Sequence, residues 1–219
     1  CLTTFDNCLT VFTTAQQLLS NVLKGGDHNL GKVTWKPGTM LYPLPPVMVS
    51  CGTMERPNVI TVAWTGIVNS DPAMTYISVR PERYSHGLIT ETSEFVINLT
   101  TEPLIWAADY CGVKSGRDID KFSLPAITAA AASKVSAPMI EESPVSIECR
   151  VDRVIRLGTH DMFLSKIVAV NVDEGLLDSR GRLHLERASL VATSHGKYFA
   201  LGKEVGSFGF SVKKKKKGR

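Results

Sequence analysis

The apolar residues of this chain recur mostly in short runs bounded by Pro and Gly, and several runs alternate apolar with polar positions. That pattern is typical of β-strands with one buried face. Residues 158–161, between the two longest runs, have the composition of a tight hairpin. Long paired strands together with several short ones favour a closed or nearly closed barrel over a flat sheet. We predict strands at residues 47–53, 59–64, 74–79, 95–99, 145–157 and 162–172.

Helical patterns are fewer, and they interrupt the strands. Residues 83–92 predict a short helix with Leu88 and Ile89 on its apolar side, and residues 104–111 predict a second one with a broad apolar face. Residues 126–134 are rich in alanine and could form either a helix or a loop. Because the helices do not alternate regularly with the strands, repeated βαβ units are not expected.

The first part of the chain has a different pattern. Apolar residues at helical spacing over residues 9–23 predict an appended helix, in which Thr14 and Gln17 have the spacing of a capping box. Gly25 and Gly26 would end this helix. It could dock a partner subunit or pack on its own domain, and the second is the simpler expectation.

The net charge of +4 at pH 7 is concentrated at the other end of the chain. Residues 213–219 contain six basic residues, so the remainder is close to neutral. Such a tail could bind nucleic acid or anionic lipid, but a solvated end is the more common explanation, and neither partner is expected. We therefore divide the chain into an N-terminal helix and linker at residues 1–31, a main domain at 32–212 and a basic tail at 213–219.

Composition narrows the class of protein. With 219 residues, 43% hydrophobic and 21% charged, the chain can bury a globular core, and no apolar run is long enough to cross a bilayer. Its five cysteines include no C-x-x-C pair, which suggests reduced thiols and a cytoplasmic location. Motifs of zinc hydrolases, Rossmann domains and P-loops are absent, and the histidines lack metal-like spacing, so no metal site is expected.

Three segments contain residues suited to ligand binding. In the first, Ser78 and Arg80 end a predicted strand, and Tyr84 and Ser85 begin a predicted helix. A guanidinium, hydroxyl groups and free backbone N–H groups would then converge, as in an anion site. Alternatively, Ser85 could cap the helix while Arg80 is solvated.

The second segment is the loop that follows the second predicted helix. Its glycines, Gly112 and Gly116, would let a ligand approach the backbone closely, and basic residues lie between and after them. A plain helix end with a polar surface loop would look similar, with Arg117 pairing with nearby aspartates in solvent. Cys111 has no basic partner one turn away and is more typical of an inert buried thiol, so no catalytic role is assigned to it.

The third segment runs from Thr61 to Gly66. Its small residues would let a planar ring lie against the chain, and Trp64 could stack on that ring or instead anchor the core. His160, in the predicted hairpin, could touch a substrate or the ring, or it could pair with Asp161 in the turn. His86 could help to neutralise a phosphate group.

Taken in order, these motifs resemble those of the flavin reductase-like, FMN-binding split-barrel proteins, and within them the flavoredoxin group. The resemblance extends from about Trp35 to Ser211, and it rests on the order and spacing of the motifs together. The matching segments are Trp35-Lys36-Pro37-Gly38-Thr39, Asn58-x-x-Thr61-x-Ala63-Trp64, Ser78-Val79-Arg80-Pro81-x-Arg83-Tyr84-Ser85, Cys111-Gly112-x-x-Ser115-Gly116-Arg117-Asp118-x-Asp120-Lys121-Phe122, Gly158-x-His160-Asp161 and Tyr198-Phe199-x-Leu201-Gly202.

The resemblance implies a mainly β fold, a split β-barrel with a Greek-key core and a few inserted helices. It also implies a homodimer with FMN at the subunit interface. Arg80, Tyr84 and Ser85 would bind the phosphate, and Trp64 with its neighbours would form the wall of the isoalloxazine site. The implied FMN-binding residues are Thr61, Val62, Ala63, Trp64, Ser78, Arg80, Tyr84, Ser85, Asn98, Cys111, Gly112, Ser115, Gly116 and Lys121.

A protein of this type would be an FMN-dependent oxidoreductase that passes electrons from NAD(P)H or a redox partner, through FMN, to a small-molecule or protein acceptor. His160 is the candidate for a catalytic side chain. NAD(P)H is only a possible donor, because the sequence has no nicotinamide fingerprint. Two alternatives stay open: a non-catalytic flavin-binding or storage module on the same barrel, and an interaction protein that uses its two ends.

Overall fold

The computed structural model describes residues 31–212. The chain divides into two units, Cys1–Met40 and Leu41–Arg219. Within the first unit, residues 31–40 are described, and they are exposed and form no helix or strand. The helix predicted at residues 9–23, its capping pair and the basic tail at 213–219 lie outside the described residues. The predicted domain limits therefore stay predictions.

The second unit is built mainly from β-strands. All six strands predicted from the sequence are present, and each of their ends lies within two residues of the prediction. Within residues 41–212 the strands are β1 (Val47–Gly52), β2 (Pro57–Val62), β3 (Thr65–Ser70), β4 (Ala73–Val79), β5 (Glu94–Leu99), β6 (Ala129–Ala130), β7 (Met139–Ile140), β8 (Val145–Arg156), β9 (Asp161–Val172), β10 (Val191–Ser194) and β11 (Lys197–Ala200).

Seven of these strands form one antiparallel sheet in the order β2-β1-β5-β8-β9-β4-β3. The pairs β6–β7 and β10–β11 form two small separate sheets. The long β8–β9 hairpin lies in the middle of the large sheet, so it connects the β1–β2 pair to the β3–β4 pair. The two strands are joined at residues 157–160, which confirms the hairpin that the sequence predicts there.

Strand β3 is the longest element that the sequence analysis missed. It lies at one edge of the large sheet, paired only with β4, and Ile67 and Val68 on it are 86% and 48% exposed. A buried face produces the alternating pattern that makes a strand recognisable, and β3 has almost none. Its existence depends on the neighbouring strand more than on its own residues.

Two α-helices are present among the described residues, α1 (Tyr84–Thr92) and α2 (Ile105–Val113), which confirms both helix predictions. The alanine-rich residues 126–134 form a loop that contains the short strand β6. The Glu148 carboxylate is fully buried and accepts hydrogen bonds from the backbone N–H groups of Ser133, Lys134 and Val135. This buried acceptor holds the loop open at the positions where a helix would need the same N–H groups.

The core occupies both faces of β1, in which every residue is buried. Val49 on one face packs with α1, and Met48 on the other packs with α2, whose small Ala107 and Ala108 allow a close approach. The two helices therefore cover opposite faces of the β1–β2 part of the sheet. Although the helices lie on opposite faces, the start of α1 and the end of α2 both reach the edge of the sheet that β2 forms.

Candidate functional site

Several chain segments end at one place beside β2. The end of β2 leads into Ala63 and Trp64, and the end of β4 leads through Arg80 into the start of α1. The register pairs Val79 of β4 with Asp161 of β9, so the turn of the β8–β9 hairpin reaches the same region. The loop after α2 lies on the remaining side of this region. Two adjoining pockets form here, and they share Ile60, Arg80 and Arg83.

The first, which we call the basic pocket, has a volume of about 310 Å³. Five of its lining side chains are cationic and one, Glu82, is acidic. Arg80 pairs with Glu82 at 3.6 Å, and within residues 31–212 no ion pair involves Arg83, Lys114 or Arg117. The pocket is lined by Ile60, Arg80, Glu82, Arg83, Tyr84, Ser85, Lys114, Ser115, Gly116, Arg117 and Lys121.

Lys121 is the buried cation of the basic pocket, with 3% of its surface exposed. Its Nζ donates hydrogen bonds to the carbonyl oxygens of Val59 at 2.6 Å and Cys111 at 2.7 Å. Burial lowers the pKa of the Lys121 ammonium below its usual value, and the positive charge of Arg83 acts in the same direction. An ammonium has three N–H groups, so one is left to donate towards the pocket. An anion in the pocket would relieve the repulsion between these cations.

Asn58, Ser85 and Gly116 pack together under the basic pocket. The Asn58 side-chain amide donates to Ser85 Oγ at 2.7 Å, and both residues are buried. A Cβ atom on Gly116 would lie 2.1 Å from Asn58 Oδ1 and 2.8 Å from Tyr84 Cδ1, so only glycine fits. Ser85 is not the helix cap, since the N-cap residue of α1 is Arg83. Together, the Asn58–Ser85 hydrogen bond and the close approach of Gly116 hold the first turn of α1 against the loop after α2.

The second, which we call the aromatic pocket, has a volume of about 190 Å³. Trp64 and His160 form one wall, with ring centroids 4.4 Å apart and planes inclined by 35°. Trp64 is 37% exposed, so it is a pocket wall and not a core anchor. The Thr61 hydroxyl is already used, because it donates to the Ala108 carbonyl of α2. The pocket is lined by Ile60, Thr61, Val62, Ala63, Trp64, Ser78, Val79, Arg80, Arg83 and His160.

The alternative in which His160 pairs with Asp161 in the turn is wrong. Its Nδ1 lies 3.0 Å from Thr159 Oγ1, whereas Asp161 binds His86 at 2.9 Å. His86 is therefore held by a carboxylate and does not line either pocket. Burial lowers the pKa of the His160 imidazole, and the charge of Arg80 acts in the same direction, so the ring is neutral at pH 7.

Twelve of the fifteen residues named from the sequence line the two pockets, and three do not. Asn98 is fully buried within the sheet, where its side chain binds Met48 and the backbone of Ile140. Cys111 is fully buried in the core between α2 and β2, and burial raises its pKa to about 11. Gly112 lies against Thr61, where an added Cβ would be 3.3 Å from Thr61 Cβ. Gly112 supports the site from behind through Thr61, and Cys111 does so through its carbonyl bond to Lys121, whereas Asn98 lies two strands away from β2.

The sequence analysis did not assign Arg83, Lys114 or Arg117 to the site, although all three line the basic pocket. Their spacing contained a usable signal. Arg83 lies three residues after Arg80 across a turn, in which the Arg83 N–H donates to the Arg80 carbonyl. Lys114 and Arg117 flank the loop residues Ser115 and Gly116 that were assigned.

In the part of the chain that the structure describes, neither a metal site nor a membrane-spanning helix is found. Residues 31–212 contain no group of three or more His, Cys, Asp or Glu side chains arranged to hold a metal ion. Over the same residues, no helix is long and apolar enough to cross a membrane.

Comparison with known proteins places this geometry in a family. The family model described as a flavin reductase like domain matches residues 39–188. An uncharacterized protein of Archaeoglobus fulgidus is 30% identical over 159 residues, which cover 73% of this chain and 88% of that protein. The solved flavoredoxin of Desulfovibrio vulgaris is 30% identical, with a TM-score of 0.76, and the match covers 84% of this chain and all of that one.

A solved FMN-binding protein from Thermus thermophilus, with bound 1-cyclohex-2-enone, is 26% identical and has a TM-score of 0.68. That match covers 80% of this chain and 99% of the Thermus chain. The likeness to these solved structures confirms the predicted fold, a mainly β split barrel. The chain therefore belongs to the flavin reductase-like family.

Proposed function

We propose that this protein is an FMN-binding oxidoreductase of the flavin reductase or flavoredoxin type. The observation behind the proposal is the continuity of the two pockets: a cluster of cations joins, through Arg80 and Arg83, a pocket walled by Trp64 and His160. A flavin mononucleotide has the same two-part character, with an anionic phosphate at one end and a flat ring system at the other. The flavoredoxin and the FMN-binding protein among the relatives support a flavin as the ligand.

The residues of the site fit FMN on their own chemistry. Arg83, Lys114 and Arg117 make no ion pair within the described chain, so their donors are available to a phosphate. Tyr84 and Ser85 also bring the first turn of α1 to the basic pocket, where backbone N–H groups lack intrahelical partners. The Trp64 indole offers a flat apolar surface next to Ala63, which leaves room for a ring.

When bound, FMN would supply the redox chemistry, accepting and releasing electrons at its ring. The side chains of this protein would hold and orient it. The arginines and lysines of the basic pocket would fix the phosphate, and Trp64 with residues 61–63 would position the ring. His160, neutral at pH 7, could donate or accept one hydrogen bond beside the ring end.

The electron donor, the acceptor and the oligomeric state belong to the same proposal. We infer NAD(P)H or a redox protein as donor, because the aromatic pocket is open to solvent and its tryptophan is partly exposed, so that a donor can reach the ring. The predicted homodimer with FMN at the subunit interface would complete the open side of this pocket. A small molecule or a protein would then take the electrons.

The visible absorption spectrum of the purified protein tests this proposal, followed by anaerobic addition of NADH and then NADPH. A yellow protein that bleaches within seconds would establish a flavin reductase and its donor. A yellow protein that stays oxidised would leave an electron carrier reduced by another protein, or the alternative of a flavin-storage module. A colourless protein that does not bind added FMN would contradict the proposed function.

A further inference from the structure

A largely buried hydrogen bond joins the surroundings of the basic pocket to those of the aromatic pocket. His86 Nε2 lies 2.9 Å from Asp161 Oδ2, and the two side chains are 15% and 12% exposed. His86 belongs to the first turn of α1, and Asp161 begins β9. The bond therefore connects two elements through residues that are 75 positions apart in the chain. The proposed function assigns no role to it.

Each partner in this bond directly follows a pocket residue. Ser85 precedes His86 and lines the basic pocket, whereas His160 precedes Asp161 and lines the aromatic pocket. His86 and Asp161 themselves line neither of these two pockets. They hold the residues at the two ends of the site relative to each other, without touching a ligand in either pocket.

The turn of the β8–β9 hairpin lies at the surface, so its position depends on the residues at its base. Residues 157–159 are exposed, and the pairing of β9 with β4 begins only at Asp161. The bond from Asp161 to His86 fixes this end of the hairpin to α1. The edge of the His86 ring in turn meets the fully buried Phe163, with ring centres 5.1 Å apart and planes inclined by 67°. This contact fixes the imidazole.

Stability alone does not explain why a carboxylate stands at this position. Asp161 lies on the buried face of β9 with Phe163 and Ser165. Replacing a buried polar pair by apolar side chains of similar volume is often neutral or stabilising. A hydrogen bond, in contrast, ties one atom of α1 to one atom of β9 at a defined distance and direction. The pair is therefore better suited to hold two elements in place than to stabilise the core.

We propose that His86 and Asp161 are positioning residues that set the distance between the basic pocket and the aromatic pocket, so that one FMN molecule occupies both. This inference rests on the proposed function. FMN carries its phosphate and its ring on one short chain, and a ligand with two linked ends binds best when its two sites are held at the distance that the linker spans. Without the bond, each pocket would keep its own groups, but the advantage of binding both ends together would fall.

The test compares three ligands of the intact protein that differ in the ends they present. Riboflavin has the ring without the phosphate, inorganic phosphate has only the anion, and FMN has both. Fluorescence titration measures the dissociation constants of riboflavin and FMN, and competition with FMN measures that of inorganic phosphate. The product of the riboflavin and phosphate constants, divided by the FMN constant, is the effective concentration that joins the two ends.

The variants separate the bond from its packing. His86→Leu removes the hydrogen bond, and His86→Gln keeps a side-chain N–H that can donate to the Asp161 carboxylate. His86→Leu together with Asp161→Leu removes the bond without leaving a buried carboxylate unpaired. The matched control is His184→Leu. His184 is also a histidine bonded to an aspartate, with Nε2 3.2 Å from Asp178 Oδ2 and 18% of its side chain exposed, and it lines neither pocket.

We expect His86→Leu to weaken FMN binding by about tenfold, so that the effective concentration falls by the same factor, while the constants for riboflavin and inorganic phosphate each change by less than about twofold. The double variant should give the same result. His86→Gln should recover most of the FMN affinity, and His184→Leu should bind all three ligands as the unmodified protein does. A purely structural role of the bond would instead weaken all three ligands together.

Four results would overturn the inference. His86→Leu and the double variant could both bind FMN as tightly as the unmodified protein does, or all three ligands could weaken by the same factor. The loss could fall on riboflavin or inorganic phosphate as strongly as on FMN, or His86→Gln could behave like His86→Leu. Each would leave the proposed function intact, because FMN would still bind to the unmodified protein.

Should His86→Leu fail to fold, the double variant provides the same comparison. If the double variant does not fold either, the bond serves folding and not the spacing of the pockets, and the inference is wrong. If FMN does not bind to the unmodified protein, the proposed function fails, and this inference fails with it.

Discussion

Arg80 lies where the basic and aromatic pockets meet, and its contribution to FMN binding can be measured directly. We expect Arg80→Ala to weaken FMN binding by about 1.5 kcal/mol, at the low end of the range for hydrogen bonds to a charged group, because half of the side chain is exposed. This corresponds to a dissociation constant about tenfold higher. Titration of the apoprotein with FMN measures it.

The control for this prediction is Arg153→Ala, which removes an exposed arginine that lines neither pocket. Its FMN affinity should match that of the unmodified protein. An Arg80→Ala protein with unchanged affinity would remove Arg80 from the phosphate site.

Lys121 and Lys114 line the same pocket but differ in burial, so their substitutions should separate stability from binding. Lys121→Met leaves the carbonyl groups of Val59 and Cys111 without their donor, and we expect it to lower the free energy of unfolding by about 1–3 kcal/mol as well as weaken FMN binding. Lys114→Met, at an exposed position, should weaken FMN binding alone. Urea unfolding measures the stability of both variants, and titration with FMN measures their affinity. Equal stability of the two variants would contradict the structural role of Lys121.

At the residue scale, a site residue could be predicted from the sequence where the residues that act with it are its neighbours in the chain. The anion-binding set Arg80, Tyr84 and Ser85 could be assembled from one continuous segment, and the structure brings it together. Asn98 could not be placed in this way, because all but one of its hydrogen-bond partners are 42 to 50 residues away in sequence. Its polarity suggests a ligand, whereas its position in the sheet makes it a buried hydrogen-bonding centre.

At the scale of elements, the contact between α1 and the loop after α2 depends on Gly116. We expect Gly116→Ala to displace Asn58 and Tyr84, lower the free energy of unfolding by about 1–3 kcal/mol and weaken FMN binding, because the added Cβ overlaps both residues. Gly87→Ala is the matched control. Gly87 lies within α1 with open space around it, so this change should raise the free energy of unfolding by about 0.5–1 kcal/mol.

Urea unfolding of these two variants measures the difference in sign. A Gly116→Ala protein as stable as the unmodified one would show that the loop after α2 can move away from α1 without loss, and that the junction does not fix the basic pocket.

The elements that sequence predicts well are those with their own periodic pattern. Strands β8 and β9 carry partly alternating patterns and were found within one residue of their ends, and both helices, which follow clear starting residues, were found within two. The loop at residues 126–134 could not be assigned, because the carboxylate that captures its backbone belongs to Glu148, 13 to 15 residues later. Burial raises the pKa of Glu148, but hydrogen bonds from Ser133 and Asn171 outweigh it and keep the pKa below its usual value.

For the whole molecule, buried thiols predict how stability changes in alkali. Burial raises the pKa of Cys51 and Cys111 to about 11 and that of Cys149 to about 12. In the unfolded chain thiols ionise near pH 8.5. Above that pH the unfolded state loses protons that the folded state keeps. The contribution of the three thiols to the free energy of unfolding is therefore fully present below about pH 8.5, and it declines as the pH rises towards 11.

We therefore expect the free energy of unfolding to fall between pH 9 and pH 11, by at most about 1.4 kcal/mol per pH unit for each thiol. Lys121, whose pKa is lowered, acts in the opposite direction, but it is one group against three. Urea unfolding under reducing conditions at several pH values measures the slope. Cys149→Ala should flatten it, and a stability that stays constant up to pH 10.5 would contradict the prediction.

The contact between Trp64 and His160 gives the protein a built-in optical reporter. Of the three tryptophans, Trp64 is the least exposed, at 37% against 76% for Trp35 and 60% for Trp106, and within residues 31–212 it is the one that touches an imidazole. The lowered pKa of His160 places the change in its charge on the acid side of neutrality. The colour and intensity of tryptophan emission should therefore respond to acidity and to whatever enters the aromatic pocket, without any label attached to the chain.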